Sequence, residues 1–139
     1  MSALDGKRIL IVEDAEFVRT TIKRMLRVAG TPILQEAADG EAALKALETF
    51  KPDVVLCDIH MKPMDGLEFV RRLRQLENPE LGATPIVLLT TDQARGTVAN
   101  ARGLGINGYL LKPVSPQDLQ HRLSAVLHGK AARSAPDPA

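Results

Sequence analysis

Glu13-Asp14, Asp58, Thr90-Thr91 and Lys112-Pro113 each follow directly on a short apolar run. In an open α/β sheet the ends of such runs share one rim, where ligands bind. Gathered there, Glu13, Asp14 and Asp58 bring a charge of −3, a repulsive arrangement in a partly dry site. A hard divalent cation such as Mg²⁺ together with the Lys112 ammonium cancels that charge. Mg²⁺ takes one or two carboxylates, waters and phosphate oxygens. An ionised Asp is a competent nucleophile towards phosphorus, forming an aspartyl phosphate. The metal and lysine would neutralise charge on the transferring oxygens. The plainer reading of any one acid after a strand is a helix N-cap, and Asp14 could serve only to cap the helix that follows. Four strand ends bearing such groups are harder to explain that way.

The elements that must position these residues are legible in the apolar pattern. Strands are expected at Arg8–Val12, from Ile33-Leu34 onward, and at Asp53–Cys57, Pro85–Leu89 and Gly108–Leu111. The first, third and fourth are continuous apolar runs, as in strands buried on both faces of a parallel sheet. Val18, Ile22, Met25, Leu26 and Ala29 recur at helical spacing up to Gly30, and Thr31-Pro32 stops the helix. Leu44, Leu47 and Phe50 mark a second helix. Leu67, Val70, Leu73 and Leu76 mark a third, opened by an Asp65-x-x-Glu68 capping box. A fourth helical region, about residues 93–103, contains Gly96 and Thr97 and is weaker. A fifth starts with Ser115 as cap and Pro116 at its first position, and carries Leu119, Leu123, Val126 and Leu127 on one face. Strict alternation of strands and helices implies a doubly wound α/β fold with a five-stranded parallel sheet. Residues 1–128 form one domain on this reading. Residues 129–139, small, polar and proline-containing, read as a disordered tail or the stub of a linker.

Composition narrows the classes. Lys and Arg number 18 against 17 Asp and Glu, a net charge of +1, which speaks against a dedicated nucleic-acid binder. One cysteine excludes an internal disulfide framework. The apolar runs are too short to span a bilayer, and the N-terminus is too polar for a signal peptide, so a cytoplasmic protein away from membranes is expected.

Taken in order, these residues resemble the receiver domain of two-component response regulators. Ile-Leu-Ile-Val-Glu13-Asp14 is similar to the family's acidic pair. Asp58-Ile-His-Met-Lys-Pro-Met-Asp-Gly66 is similar to its phosphoacceptor strand end and following loop. Thr90 matches the switch hydroxyl, Tyr109 the switch aromatic and Lys112-Pro113 the Lys-Pro pair, and the intervals of 32 and 22 residues between Asp58, Thr90 and Lys112 also fit. The resemblance covers about residues 7–128. It implies a flavodoxin-like, CheY-like sheet of order 2-1-3-4-5. It implies that Asp58 accepts a phosphoryl group, that Asp14 and Asp58 ligate Mg²⁺ with the His60 backbone carbonyl, and that Glu13 assists directly or through water. Thr90 and Lys112 would bind phosphoryl oxygens, Thr90 and Tyr109, at adjacent strand ends, would form the switch, and the Lys112-Pro113 bond would be cis. Two features depart from the family pattern. Glu13 stands where Asp is commoner, and in Met61-Lys62-Pro63-Met64 the proline comes one place late.

Other signals are weaker. Gly103-Leu-Gly-Ile-Asn-Gly108 spells a dinucleotide fingerprint, but a helix precedes it and a strand follows, the reverse of what that site requires. His60, His121 and His128 lack metal-ligand spacing, and Cys57 alternates into the core. Arg19, Lys23 and Arg27 form a basic stripe on the first helix, either a solvated face or a docking surface. The function expected is a phosphoryl-accepting signalling switch in a phosphorelay, limited to self-phosphotransfer and autodephosphorylation. Its partners would be a histidine kinase or histidine phosphotransfer protein and a downstream protein target. The alternatives are the receiver piece of a longer transcription factor or enzyme, a small aspartyl-intermediate phosphatase, and a receiver acting only as an interaction module.

Overall fold

The computed structural model describes residues 2–91 and 102–128. Five parallel strands, β1 (Arg8–Val12), β2 (Ile33–Ala37), β3 (Val54–Asp58), β4 (Ile86–Thr90) and β5 (Gly108–Leu111), form one sheet in the order β2-β1-β3-β4-β5. Helices α1 (Glu16–Ala29), α2 (Gly40–Phe50), α3 (Gly66–Arg74), the single turn α4 (Pro79–Gly82) and α5 (Pro116–His128) connect and cover it. This is the expected doubly wound architecture. The expected fourth helical region lies outside the described residues, except that Arg102–Leu104 forms a 3₁₀ turn. The tail assigned to residues 129–139 also lies outside them. The turn at α4, capped by Asn78 with Pro79 at its start, has no counterpart in the sequence reading.

Strand alternation divides the core in two. Leu10, Val12, Val55, Cys57, Ile86 and Leu88 face α2 and α3, meeting Leu47, Phe50, Phe69 and Leu73. Ile9, Ile11, Val54, Leu56, Val87 and Leu89 face the other way, meeting Ile22 and Leu26 of α1 and Leu119 and Leu123 of α5. The central strands are buried at every position, which is why they read as unbroken apolar runs rather than alternating ones. β2 is an edge strand, and its Ile33 and Glu36 are exposed.

β3 and β4 each begin and end one residue later than the sequence pattern indicates. Asp53 lies just before the strand, its N–H donating to the Arg8 carbonyl at 2.7 Å and its carboxylate accepting from the Arg8 N–H at 2.8 Å. Pro85 lies outside as well, and its carbonyl accepts from Val55 at 2.8 Å. The consequence is functional. Asp58 and Thr90 are the last ladder residues, paired with Leu89 and Leu111, rather than the first loop residues.

Helix ends explain how the loops are held. Asp65 accepts from the Glu68 N–H at 2.9 Å, as expected, but Glu68 does not close the box. Its carboxylate pairs with Arg71 and Arg72 instead, and these guanidinium groups hold its pKa below the usual carboxylate range. Ser115 and Asp118 form a reciprocal box at the start of α5. Asp39 caps α2 through the Ala42 N–H. The base of the sheet is stitched by Arg74, which donates to the carbonyls of Gly82, Thr84 and Gly105. Beside it, Asn107 Oδ1 accepts from the Ile86 N–H at 2.9 Å.

Candidate functional site

The carboxyl ends of β1, β3, β4 and β5 bring Glu13, Asp58, Thr90 and Lys112 to one rim. Glu13, Asp58 and Thr90 are buried, with 3%, 4% and 0% of their surface exposed, an unusual state for two acids side by side. Lys112 Nζ lies 3.0 Å from Asp58 Oδ1 and 3.9 Å from Glu13 Oε1. These are ion pairs without hydrogen-bond geometry: Asp58 Oδ1 and Glu13 Oε1 are buried oxygens with no hydrogen-bond partner. Burial is the main force pushing the Glu13 pKa up to about 7; the Ala15 N–H opposes it, and the negative neighbours Asp14 and Asp58 add to it.

Asp14 is exposed at the mouth of this group. It does not cap α1: Ala15 occupies the N-cap position and no side chain bonds the helix start there. The capping explanation of Asp14 therefore fails, and the acid is left to the rim. Glu13 takes over part of the local work, with Oε2 accepting from the Ala15 N–H at 2.9 Å.

The loop after β3 folds back under the site. The Ile59 carbonyl accepts from Met61 and Gly66, while Met61 and Met64 point into the core. Among the described residues, no hydrogen bond engages the carbonyl of His60, and its side chain is exposed. Both Lys62-Pro63 and Lys112-Pro113 are cis. The second was expected; the first, in the loop whose proline comes late, was not. Gly66 lets α3 approach the strand end: a Cβ there would lie 2.5 Å from the Asp58 carbonyl oxygen and 2.8 Å from the Ile59 Cα.

Thr90 Oγ1 donates to the Thr91 carbonyl at 3.2 Å. Tyr109 is not at the adjacent strand end. It pairs with Leu88, one side-chain repeat before Thr90, and alternation sets it on the same face as Thr90, packed against the α2–α3 core. Cys57 is fully buried, its thiol held well above the usual range by burial and then by nearby acids, and it donates to the Asp58 carbonyl at 3.2 Å. That is an inert packing thiol. On α1, Arg19 and Lys23 pair with Glu36 of β2 at 2.9 and 2.7 Å, so much of the basic stripe is stitched to the edge strand. These two cations hold Glu36 below the usual carboxylate pKa, Lys23 most strongly.

The response regulator receiver domain model matches residues 9–124. This chain belongs to the response regulator receiver domain family. It is 35% identical over 122 residues to the alkaline phosphatase synthesis transcriptional regulatory protein PhoP of Bacillus subtilis, covering 88% of this chain and 49% of that protein. It is 34% identical over 119 residues to chemotaxis protein CheY-3 of Vibrio cholerae, covering 86% of this chain and 90% of that one. The chain thus spans about half the length of the first curated relatives it matches, and nearly all of CheY-3. Among solved structures it resembles the receiver domain of a sensor histidine kinase from Pseudomonas aeruginosa, described with a magnesium ion in its active-site cleft. There the TM-score is 0.75 and identity 32%, over 88% of this chain and 98% of that one. The receiver fold of two-component signalling, with sheet order 2-1-3-4-5, is therefore established for this chain. Receivers of this family act as signalling switches. Among the described residues no helix is long and apolar enough to cross a membrane.

The donor set accommodates a hard divalent cation. Two buried carboxylate oxygens lack hydrogen-bond partners, which is costly unless a cation or proton compensates them. No three His, Cys, Asp or Glu side chains among the described residues are gathered into a cage. Mg²⁺ does not need one: it retains several waters and takes one or two carboxylates.

Proposed function

We propose that this receiver is a Mg²⁺-dependent phosphoryl acceptor, with Asp58 as the residue modified by a phosphohistidine donor. The observation that carries the reading is Asp58 itself. It is a buried carboxylate at a strand end, its Oδ1 free of hydrogen bonds and 3.0 Å from the Lys112 ammonium. An Asp Oδ attacks phosphorus, the P–N bond to the donor imidazole breaks, and the imidazole leaves with a proton. Asp14, Asp58 and the His60 carbonyl would hold the metal, with Glu13 binding directly or through water. When bound, Mg²⁺ supplies electrostatic neutralisation of the equatorial oxygens. Lys112 offers its ammonium to one of those oxygens, and Thr90 reorients its hydroxyl from Thr91 to another. Hydrolysis of the acyl phosphate at the same rim resets the switch.

The partners on this reading are a histidine kinase or phosphotransfer protein as donor and a downstream protein as target. Modification replaces a single negative charge at Asp58 with about −1.5 to −2 and strong acceptor oxygens. Thr90, drawn towards them, would leave room for Tyr109 to rotate inward. The fusion alternative keeps one supporting observation, since PhoP continues over about twice the length this chain matches. The length of the native reading frame separates the two.

Transfer from a radiolabelled phosphohistidine kinase tests the proposal. Label should move to the wild-type chain and not to Asp58→Asn. Sustained turnover of phosphate monoesters, with no labelled protein, would replace this reading by a hydrolase.

A further inference from the structure

Both peptide groups that flank Asp14 are held by side chains. Arg19 Nη1 donates to the Glu13 carbonyl at 2.6 Å, which fixes the peptide before Asp14. Glu13 Oε2 accepts from the Ala15 N–H at 2.9 Å, which fixes the peptide after it. One residue earlier, the Glu13 N–H donates to the Ala37 carbonyl at 3.1 Å. Asp14 is exposed and α1 starts without a side-chain cap, so the direction of its Cα–Cβ bond follows from these two peptide planes.

Arg19 is itself immobilised. Its Nε donates to Glu36 Oε1 at 2.9 Å, while Lys23 Nζ holds Glu36 Oε2 at 2.7 Å. Only 14% of the Arg19 side chain is exposed. One guanidinium therefore ties the edge strand, the first helix and the acid-bearing loop together. An isolated surface ion pair is worth at most about 1 kcal/mol and requires no backbone acceptor. Here the same cation also closes a charge-assisted bond to a loop carbonyl, the stronger class of hydrogen bond.

We propose that Arg19 is a positioning residue for the acid pair: by holding the Glu13 carbonyl with a guanidinium locked by Glu36, it aims Asp14 and so sets the affinity of the rim for a divalent cation. The inference rests on the reading of this rim as a Mg²⁺-dependent phosphoacceptor site. Removing an outer partner of a metal ligand costs about 10–100-fold in affinity. Lysine cannot replace arginine here, because a single ammonium on a flexible stem does not span two acceptors held by a planar fork.

Calorimetric titration of the full chain with MgCl₂ tests this, alongside Arg19→Ala, Arg19→Lys and Lys23→Ala. Arg19→Ala should weaken Mg²⁺ binding about tenfold, at the lower end of the range for such partners. Arg19→Lys should recover little of that loss. Lys23→Ala, which removes a charge from Glu36 but does not touch the loop, should bind Mg²⁺ within about twofold of wild type, as expected for an exposed pair. Amide NMR shifts of Asp14 and Ala15 should move in both Arg19 variants and stay in Lys23→Ala. If Arg19→Ala does not fold, Arg19→Lys, which keeps the charge, decides the matter by the same two measurements. Wild-type Mg²⁺ affinity in the Arg19 variants, or an equal loss in Lys23→Ala, overturns the positioning role alone. Absence of Mg²⁺ binding by the wild type overturns the metal reading of the rim and this proposal with it.

Discussion

At neutral pH without a cation, Glu13 sits near its own midpoint, pushed to about 7 chiefly by burial. In the unfolded chain it ionises near the ordinary glutamate value of 4.5. Between those values the folded state binds the proton and the unfolded state does not. Stability therefore falls as pH rises through this window, and the full penalty stands above it. Glu36 and Glu68, whose pKa values are lowered by their Lys and Arg partners, act in the opposite sense at lower pH, losing their contribution as pH falls through their folded values. Metal-free protein should thus melt lower at pH 8 than at pH 5.5, by several degrees, since about 2 kcal/mol of the shift falls between those two pH values. Glu13→Gln should flatten that slope in thermal melts, and MgCl₂ should restore more stability at pH 8 than at pH 5.5. An equally steep slope in Glu13→Gln would assign it to another group. At this scale the sequence carried the residue types and their order, but not the burial that raises Glu13. The role of Arg19 was hidden for another reason. A helical stripe of Arg and Lys reads as surface charge, and nothing local marks the backbone carbonyl one of them reaches.

At the scale of elements, continuous apolar runs revealed β1, β3 and β4 because both faces of those strands are buried. The ends of β3 and β4 are shifted by one residue, since apolarity marks burial while ladder pairing, which extends to the polar Asp58 and Thr90, sets where a strand ends. The turn at α4 escaped because it buries no side chain and so leaves no periodic pattern. The approach of α3 to the site is likewise unreadable, because the sequence shows Gly66 only as one residue of the loop after Asp58. A Cβ at Gly66 would meet the backbone at Asp58 and Ile59, neither of which can move without shifting the strand end. Gly66→Ala should therefore cost about 1–3 kcal/mol and lower the melting temperature by several degrees. It should also slow phosphorylation of Asp58, measured as the rate of mass gain. Gly103→Ala, where a Cβ meets nothing within 4 Å, should leave both unchanged. Equal tolerance at the two positions would contradict the close-approach account.

At the scale of the whole molecule, strand pairing through β4 links Asp58 of β3 to Tyr109 of β5 among the described residues. Asp58 pairs with Leu89, and on β4 the neighbouring residues Leu88 and Thr90 pair with Tyr109 and Leu111. The chain has one Tyr and no Trp, so Tyr109 fluorescence reports on this path without interference. Beryllofluoride, which mimics a bound phosphoryl group, should change that fluorescence and its quenching by iodide in the wild type. Thr90→Ala should bind the mimic yet leave Tyr109 unaltered, because the nucleophile and metal ligands remain while the coupling hydroxyl is gone. A Tyr109 response in Thr90→Ala as large as in the wild type would remove Thr90 from the path. All of this presupposes that Asp58 is the acceptor, and intact-mass spectrometry after incubation with Mg²⁺ and acetyl phosphate tests that most directly. The account predicts the gain of one phosphoryl group, removed by hydroxylamine as an acyl phosphate is and absent from Asp58→Ala. An unmodified wild type, or an equally modified Asp58→Ala, would contradict it.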